Sequence, residues 1–445
     1  MSRDRDRDRP TTSAVARLAR LGGLMGRVGA SVAGARLLEI ARSGPGKQIR
    51  RTENLVKNAT RIAETLGQMK GGAMKVGQML SLHEGLLPPE VAEVLRTLQK
   101  EAPKVPAEVM GFEVRGALPS FDELFESMET EAFAAASIGQ VHRARMRDGR
   151  LVAIKIQYPL IDEIIKADLK NLRVLLQSLF GLFTDVDFEP VWHELRDRLL
   201  EELDYAHEAA NATRAAELYA DMPEIVIPRV VPEASTHRVL TMERIDGIAP
   251  EDACSSRYGD ELRSRWGVVL YEFVLRGLLR HGWLHADPNL ANFAFLPDGR
   301  VVVYDFGCVK RIAPAISAAY ARLMRAAAAR DAAAVPQILH EIGLTHADGS
   351  PLGRELTDPY VELLSDFARE SPPYRFGENE ELYPRVVEHG LANWSAAGDI
   401  RFPEDIVFID RTLAGHFGNL ARLRAQGPWR ELGLRYAAEA LPQSK

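Results

Sequence analysis

The stretch that decides the fold is His-Ala-Asp-Pro-Asn-Leu-Ala-Asn at residues 285–292, followed by Val-Tyr-Asp-Phe-Gly at residues 303–307. Asn292 comes five positions after Asp287, and Asp305 comes eighteen positions after Asp287. Between the two segments, Pro-Asp-Gly at 297–299 predicts a tight turn that joins strands at 293–296 and 301–304. Two acids and an amide held by a hairpin suit phosphoryl transfer, because that reaction needs well-placed charge around phosphate and Mg²⁺.

This arrangement resembles the catalytic loop and the metal-binding Asp-Phe-Gly of protein kinases. We therefore expect Asp287 to act as the catalytic base, and Asn292 and Asp305 to hold Mg²⁺. Upstream, Val-Ala-Ile-Lys at 152–155 predicts a strand that ends in a phosphate-binding lysine, Lys155. Glu208, inside a predicted helical stretch at 201–208 that also holds Glu202 and Asp204, is the candidate partner that orders Lys155, although several neighbouring acids compete for that role.

The order of predicted elements indicates the fold class. Short strand patterns occur at 132–133, 139–144, 151–157 and 239–243, whereas the chain beyond Gly247 is mainly helical apart from the hairpin. The strand at 239–243 leads to a predicted hinge, where the backbone around Met242 and Glu243 would bind the adenine edge. We predict an α+β, bilobal protein-kinase-like fold with an N-terminal helical extension and a mostly helical C-lobe.

A more specific resemblance rests on several motifs in order. No Gly-x-Gly-x-x-Gly precedes the strand that ends at Lys155, and an alanine-rich segment that we expect to be a loop, Ala134, Ala135, Ala136 and Ser137, stands in its place. Together with Lys-Val-Gly-Gln at 75–78, Glu-Leu-Asp at 202–204, Val-Ala-Ile-Lys and Asp-Phe-Gly, this set resembles the UbiB/AarF family of atypical kinases over roughly residues 55 to 310.

The resemblance implies a nucleotide site and an occluded substrate face. The alanine-rich segment would cover the phosphates, Lys155 would pair with Glu208, and Asn292 and Asp305 would bind Mg²⁺ with ATP or ADP. The face that receives the peptide in protein kinases would be occluded by Lys75, Gly77, Gln78, Glu202 and Asp204. The family also implies a kinase or ATPase activity in isoprenoid quinone and lipid metabolism, with an isoprenoid or quinone-precursor lipid as partner.

The chain departs from the family in the catalytic loop. The usual His-Pro-Gly before the metal-binding asparagine is replaced by Asn-Leu-Ala at 289–291. We expect this replacement to alter the shape of the loop and to affect the rate of turnover, but to leave the Mg²⁺ ligands in place. Two alternatives therefore stay open. One is a nucleotide-gated lipid-binding or accessory protein with little turnover, and the other is a phosphotransferase for a soluble small molecule.

Composition excludes several classes of protein. A hydrophobic content of 46%, a charged content of 27% and a net charge of −6 describe a globular chain without the basic excess that nucleic-acid binding needs. The two cysteines, Cys254 and Cys308, indicate neither a disulfide framework nor a zinc site. No run of about 18 uncharged apolar residues occurs, so we expect no transmembrane helix and a cytoplasmic location, with peripheral contact at the inner face of the membrane as an open alternative.

The chain divides into four predicted regions. Residues 1–10 form a charged tail that we expect to be disordered, and 11–105 form a helical extension carrying the Lys-x-Gly-Gln motif. Residues 106–245 form a kinase-like N-lobe with inserted helices, and 246–445 form the C-lobe. Apolar residues at helical spacing between arginines in 11–42 fit either a helix on an anionic membrane or a helix packed on the protein. The sequence does not determine the oligomeric state.

Overall fold

The structure is a computed structural model, and it describes residues 105–136, 138–167, 169, 173, 177, 188–367, 374–377, 400–401 and 403–441. The predictions for the tail, for Lys75, Gly77 and Gln78, and for Ser137 lie outside these residues, so the four-region division remains a prediction. The chain splits into two compact units. Described residues up to His207 and Val231–Glu243 belong to the first unit, and Glu208–Val230 and everything from Arg244 belong to the second.

The first unit is built on a five-stranded antiparallel sheet. Strand β4 lies between β3 and β6, while β1 and β2 pair with opposite ends of β3. In β4, Val152, Ile154 and Ile156 alternate along the strand and are buried on one face, which leaves Lys155 on the other face. The strands are β1 Phe125–Met128, β2 Ala134–Ala136, β3 Gly139–Met146, β4 Leu151–Gln157 and, later in the chain, β6 Val239–Glu243.

Helices cover the buried face of this sheet. Met110 and Val114, one helical turn apart, are fully buried against β4 together with Phe121 and Phe125. The helices are α1 Ala107–Ala117, α2 Phe121–Leu124, α3 Phe188–Glu201 and α4 Tyr205–Leu218, and the last of these begins in the first unit and continues in the second. Burial of this apolar stripe fixes which face of the sheet carries Lys155.

The second unit is mainly helical and has an aromatic core. The indole N–H groups of two buried tryptophans are satisfied, because Trp266 donates to the carbonyl of Leu296 at 2.9 Å and Trp429 donates to that of Tyr374 at 2.6 Å. The helices are α5 Pro250–Ala253, α6 Asp260–Leu275, α7 Pro314–Ala329, α8 Val335–Glu341, α9 Arg354–Phe367, α10 Glu404–Leu423 and α11 Trp429–Ala440.

Short strand pairs carry the loops of the second unit. Strands β5, β9 and β8 form one small sheet, β10 pairs with β7, and β11 pairs with β12. A π-helical turn, Arg276–His281, extends α6, and Gly282 then takes the left-handed conformation with φ 56° before β7 begins. The strands are β5 Ile225–Val226, β7 Trp283–His285, β8 Phe293–Phe295, β9 Val301–Val303, β10 Val309–Arg311, β11 Thr345–His346 and β12 Ile400–Arg401.

Most predicted strands are confirmed. The strands expected at 151–157 and 239–243 have the predicted bounds, and the hairpin strands are β8 and β9, each one residue shorter than predicted. The strand expected at 132–133 is wrong, because the pairing begins at Ala134, opposite Val141. Within the described part of the chain, no helix combines the length and apolarity that crossing a membrane requires.

Candidate functional site

Backbone hydrogen bonds tie the catalytic loop to the Asp-Phe-Gly segment at both ends. Ala286 donates its N–H to the carbonyl of Cys308 at 2.9 Å, which continues the pairing of β7 with β10. At the other end, Tyr304 donates its N–H to the carbonyl of Asn292 at 2.9 Å, which continues the hairpin of β8 and β9. The two ladders therefore bring the segments carrying Asp287, Asn292 and Asp305 next to one another.

Side chains brace the same segment from within the second unit. His285 Nε2 lies 2.7 Å from the carbonyl oxygen of Asp305, and because a carbonyl only accepts, Nε2 carries the proton. From α4, the Asn211 side chain donates to the carbonyl of Phe306 at 3.0 Å. The imidazole of His285 is buried among the rings of Phe273, Phe293 and Phe306. His285 is thus a structural brace of the Asp-Phe-Gly segment.

The altered part of the loop makes its own local structure. One carboxylate oxygen of Asp287 accepts the N–H of Asn289 at 3.1 Å, and the Asn289 side chain caps a short 3₁₀ turn by accepting from Ala291 at 3.1 Å. Leu290 is 2% exposed and packs into the aromatic core of the unit. Asn-Leu-Ala is therefore an ordered replacement. Its asparagine stabilises the turn by a hydrogen bond, and its leucine packs into the core.

Glu208 and Asp305 lie beside the same glycine. A β-carbon on Gly307 would be 3.2 Å from Asp305 Oδ1 and 3.9 Å from Glu208 Oε2, and Asp305 Oδ1 accepts the N–H of Gly307 at 2.9 Å. Glu208 is only 5% exposed. A buried carboxylate needs a charged or hydrogen-bonding partner, so this position is suited to ordering a lysine.

The residues in the loop fit a magnesium ion. The Asn292 amide nitrogen donates to the carbonyl of Asp287 at 3.4 Å, and the amide oxygen is the atom that a hard cation prefers. Mg²⁺ in nucleotide sites takes one or two protein oxygens, with phosphates and water completing the shell. Among the described residues no group of three or more His, Cys, Asp or Glu side chains is arranged to hold a metal. Asn292 and Asp305 would thus form a site completed by phosphate.

Lys155 sits in a defined environment within the first unit. It occupies β4 opposite Leu240 of β6 and Val141 of β3, and its Nζ lies 4.9 Å from the ring centroid of Tyr205, which is 1% exposed. A buried ring below the ammonium group limits the positions that the lysine can take. Because Lys155 belongs to the first unit and Glu208 to the second, their pairing stays a prediction.

The Glu-x-Asp motif is attached to the lysine strand. Gln157, the last residue of β4, is 2% exposed and donates to the carbonyl of Leu203 at 2.7 Å. Glu202 and Asp204 were expected inside one helical stretch with Glu208. That prediction is wrong, because they lie in the turn between α3 and α4, where Asp204 caps α4 by accepting the N–H of Ala206 at 3.0 Å.

The alanine-rich segment is part of a hairpin, so the prediction of a loop at 134–136 is wrong. Ala134, Ala135 and Ala136 form β2 and pair with Val141, Gln140 and Gly139 of β3, respectively. A β-carbon on Gly139 would overlap the carbonyl oxygen of Ile156 and lie 2.9 Å from the hydroxyl of Tyr205, so only glycine fits there.

The predicted hinge coincides with a boundary between units. Met242 is buried within β6, Glu243 ends that strand, and the division of the chain falls between Glu243 and Arg244. The strand that leads to this point is confirmed, whereas the hinge and the binding of adenine at Met242 and Glu243 stay predictions.

Sequence reasoning missed several residues that shape the site. Gln157, Tyr205 and Asn211 contact Leu203, Lys155 and Phe306, respectively. Two of them had a signal in sequence, because Gln157 follows the lysine strand and Tyr205 directly follows Glu-Leu-Asp. Asn211 had none, since the carbonyl that it binds is 95 positions away.

Comparison with known proteins agrees with this geometry. The model of the ABC1 atypical kinase-like domain matches residues 97–339, which is more than half of the chain. The atypical kinase COQ8B, mitochondrial, of Rattus norvegicus is 32% identical over 447 residues, covering 96% of this chain and 81% of the relative. The atypical kinase coq-8, mitochondrial, of Caenorhabditis elegans is 30% identical and covers 83% of this chain, which in turn spans about half, 49%, of that relative.

A solved structure shares the fold over most of the chain. The complex of Rv3197 with erythromycin from Mycobacterium tuberculosis superposes with a TM-score of 0.61 at 31% sequence identity, covering 87% of this chain and 97% of that one. Sequence and fold therefore agree on an α+β, kinase-like protein of the phosphotransferase class. The chain belongs to the ABC1 atypical kinase-like family, which confirms its resemblance to the UbiB/AarF atypical kinases.

Proposed function

We propose that this chain binds ATP or ADP with Mg²⁺ and works as an atypical kinase or ATPase in isoprenoid quinone and lipid metabolism. The observation that carries the proposal is the closure of the catalytic loop onto the Asp-Phe-Gly segment by hydrogen bonds at both ends, Ala286 to Cys308 and Tyr304 to Asn292. Phosphoryl transfer depends mainly on positioning and electrostatic stabilisation, and such closure holds polar groups in fixed positions.

Each group has a proposed role. Asp287 orients the nucleophile, or water when no acceptor is bound. Lys155, ordered by Glu208, binds the α- and β-phosphates. Asn292 and Asp305 hold Mg²⁺, which neutralises charge on the phosphates when bound. Ala134, Ala135, Ala136 and Ser137 cover the phosphates, Met242 and Glu243 bind adenine, and Lys75, Gly77, Gln78, Glu202 and Asp204 restrict access to the acceptor side.

The relatives support the proposed metabolic role. The curated relatives named atypical kinase COQ8 and COQ8B support a role in coenzyme Q biosynthesis, and therefore an isoprenoid or quinone-precursor lipid as partner. Peripheral contact with an anionic membrane surface, where such a lipid would be met, belongs to the proposal.

A second candidate is a nucleotide-gated binding protein or phosphotransferase for a small molecule. It is favoured by the relative Rv3197, whose solved complex contains erythromycin, a bulky and largely apolar ligand. The altered loop also fits low turnover, because Asp287 uses one carboxylate oxygen to accept the N–H of Asn289. As a gated binding protein, the chain would change conformation on nucleotide binding, with slow or no phosphoryl transfer; as a phosphotransferase, it would transfer phosphate to a soluble small molecule.

The decisive experiment measures Mg²⁺-dependent nucleotide binding and phosphate release by purified protein, with and without anionic liposomes. The test variants are Asp305→Asn and Lys155→Ala. Their matched controls are Asp298→Asn, an exposed acid in the turn of the same hairpin, and Lys166→Ala, an exposed lysine of the first unit paired with Asp162. We expect turnover to rise with lipid and to fall by about two orders of magnitude in the test variants only.

Other results decide between the candidates. Tight Mg²⁺-dependent binding by the wild type without phosphate release, at any lipid concentration, would favour the gated binding protein. Stimulation by erythromycin or another macrolide instead of lipid would favour the small-molecule phosphotransferase. Absence of nucleotide binding by the wild type would contradict all of these proposals.

A further inference from the structure

Helix α10 contacts the catalytic loop from far along the chain. It lies outside residues 97–339, the part that matches the family model. On α10, Asn419 is 5% exposed and its side chain donates to the carbonyl of Pro288 at 2.7 Å. One helical turn earlier, a β-carbon on Gly415 would overlap the proline ring, 2.7 Å from Pro288 Cβ. The helix backbone thus lies directly against the residue after Asp287.

We propose that α10 is the positioning element of the catalytic loop, and that Asn419 and Gly415 are positioning residues for Asp287 and Asn292. The inference rests on the proposed function, because it assigns α10 a role in that same site. Neither residue touches nucleotide or metal in this proposal. They act by fixing Pro288, which joins the acid to the turn that carries the metal-binding asparagine.

The physical argument starts from the carbonyl of Pro288. The bond from Asn419 to this carbonyl is partly buried, and a carbonyl shielded from water without a hydrogen-bond donor is costly. Loss of the Asn419 amide would therefore favour rotation of the peptide toward another partner. Rotation of that peptide displaces the groups on either side of it. Displacements of about 1 Å in a catalytic group can cost about two orders of magnitude in rate.

The same helix also contacts the strand that follows Asp-Phe-Gly. Asp405 Oδ1 lies 2.8 Å from Nζ of Lys310, which stands over the ring of Phe408 at 5.3 Å. Lys310 belongs to β10, the strand that follows Asp-Phe-Gly. In addition, the ring of His416 packs 6.0 Å from that of Phe293, next to Asn292. One helix therefore contacts both segments that the backbone ladders join.

The chain offers two matched pairs of variants on this helix. A β-carbon on Gly415 would overlap Pro288, whereas one on Gly418 meets nothing within 4 Å. Similarly, Asn419 binds the loop, whereas the hydroxyl of Thr412, which is 3% exposed, binds the carbonyl of Phe408 within α10. Gly415→Ala and Asn419→Leu are therefore the test variants, and Gly418→Ala and Thr412→Val are their controls.

The experiment has two readouts in the full-length protein. The first is the Mg²⁺ concentration for half-maximal nucleotide binding, together with the rate of turnover. In the test variants only, we expect that concentration to rise and the rate to fall, each by about tenfold or more. The second is amide hydrogen exchange at Ala286, Ala291 and Asn292, without nucleotide, which we expect to be about tenfold faster in the test variants than in the controls.

These readouts separate a positioning role from a general loss of folding. If Gly415→Ala and Asn419→Leu match Gly418→Ala and Thr412→Val in both readouts, the inference is wrong. It is also wrong if exchange accelerates equally throughout the second unit, because that indicates global destabilisation. If the wild type binds no Mg²⁺ nucleotide, the proposed function fails, and loop-specific exchange alone then decides whether α10 positions the loop.

Discussion

Replacement of His416 by leucine should make the second unit less sensitive to acid. His416 lies on α10, is 3% exposed, and packs beside the rings of His285 and Phe293. Burial lowers the pKa of His416 to about 3, because an imidazolium there would lose its hydration, and the nearby His285 adds to the effect. The folded protein therefore holds His416 neutral at every pH where the enzyme would work.

The sign and size of the effect follow from proton linkage. An unfolded histidine titrates near pH ~6.5, so between that pH and about 3 the unfolded chain takes up a proton that folded His416 does not. Above the unfolded pKa both states hold His416 neutral, so no stability is lost. As the pH falls below that pKa, proton uptake by the unfolded chain lowers the free energy of unfolding. Between pH 7 and pH 5 the loss is about 2 kcal/mol, and this value changes little as long as the folded pKa lies at least about one unit below 5.

Urea unfolding at pH 7 and pH 5 measures this loss. Tryptophan fluorescence reports on the second unit through the buried Trp266, Trp283 and Trp429, and on the first unit through the buried Trp192. Other groups titrate in the same range, so the quantity to compare is the pH-dependent difference between wild type and His416→Leu. The wild type should lose about 2 kcal/mol more than the variant, and Thr412→Val should follow the wild type. Parallel pH profiles for wild type and His416→Leu would refute the reasoning.

Three further predictions concern the first unit. Gly139→Ala should destabilise the first unit by about 1–3 kcal/mol, because the added β-carbon would overlap the backbone of β4. Thermal unfolding measures this, and Gly116→Ala, whose β-carbon would meet nothing within 4 Å, should leave stability unchanged. Tyr205→Leu should weaken nucleotide binding by about fivefold in titration calorimetry through loss of the ring beneath Lys155, and Tyr205→Phe should bind like the wild type. Ala136→Gly should change the preference between di- and triphosphate nucleotides in the same assay, and an unchanged preference would contradict a phosphate-covering role for β2.

The arrangement of the candidate catalytic loop and of Asp-Phe-Gly could be predicted because these residues are close in sequence. Asp287 and Asn292 share one loop, and Asp305 follows across a single hairpin whose turn is signalled by Pro-Asp-Gly. Local hydrogen bonding and strand alternation decide such an arrangement, and both leave a pattern in the sequence. The position of Lys155 on a strand could be predicted for the same reason, since the apolar residues around it alternate along that strand.

Local patterns were less reliable where two elements meet. Glu202 and Asp204 follow a helical pattern without interruption in sequence, yet α3 ends before them and Asp204 caps the next helix. The buried Gln157 holds that turn by its bond to Leu203, 46 positions away. A contact over that separation overrides the helical preference of the intervening residues, and no single window of sequence contains it.

By itself, the sequence determined the family, the fold class and the order of the functional groups, because each depends on motifs and periodicities within short segments. Only the tertiary structure decided what holds those groups. The bond from Asn419 to Pro288 joins residues 131 positions apart, and the contact of Gly415 with the same proline depends on how α10 packs in the second unit. Such contacts arise from burial of whole helix faces, and a glycine and an asparagine in a C-terminal helix carry no local sign of them.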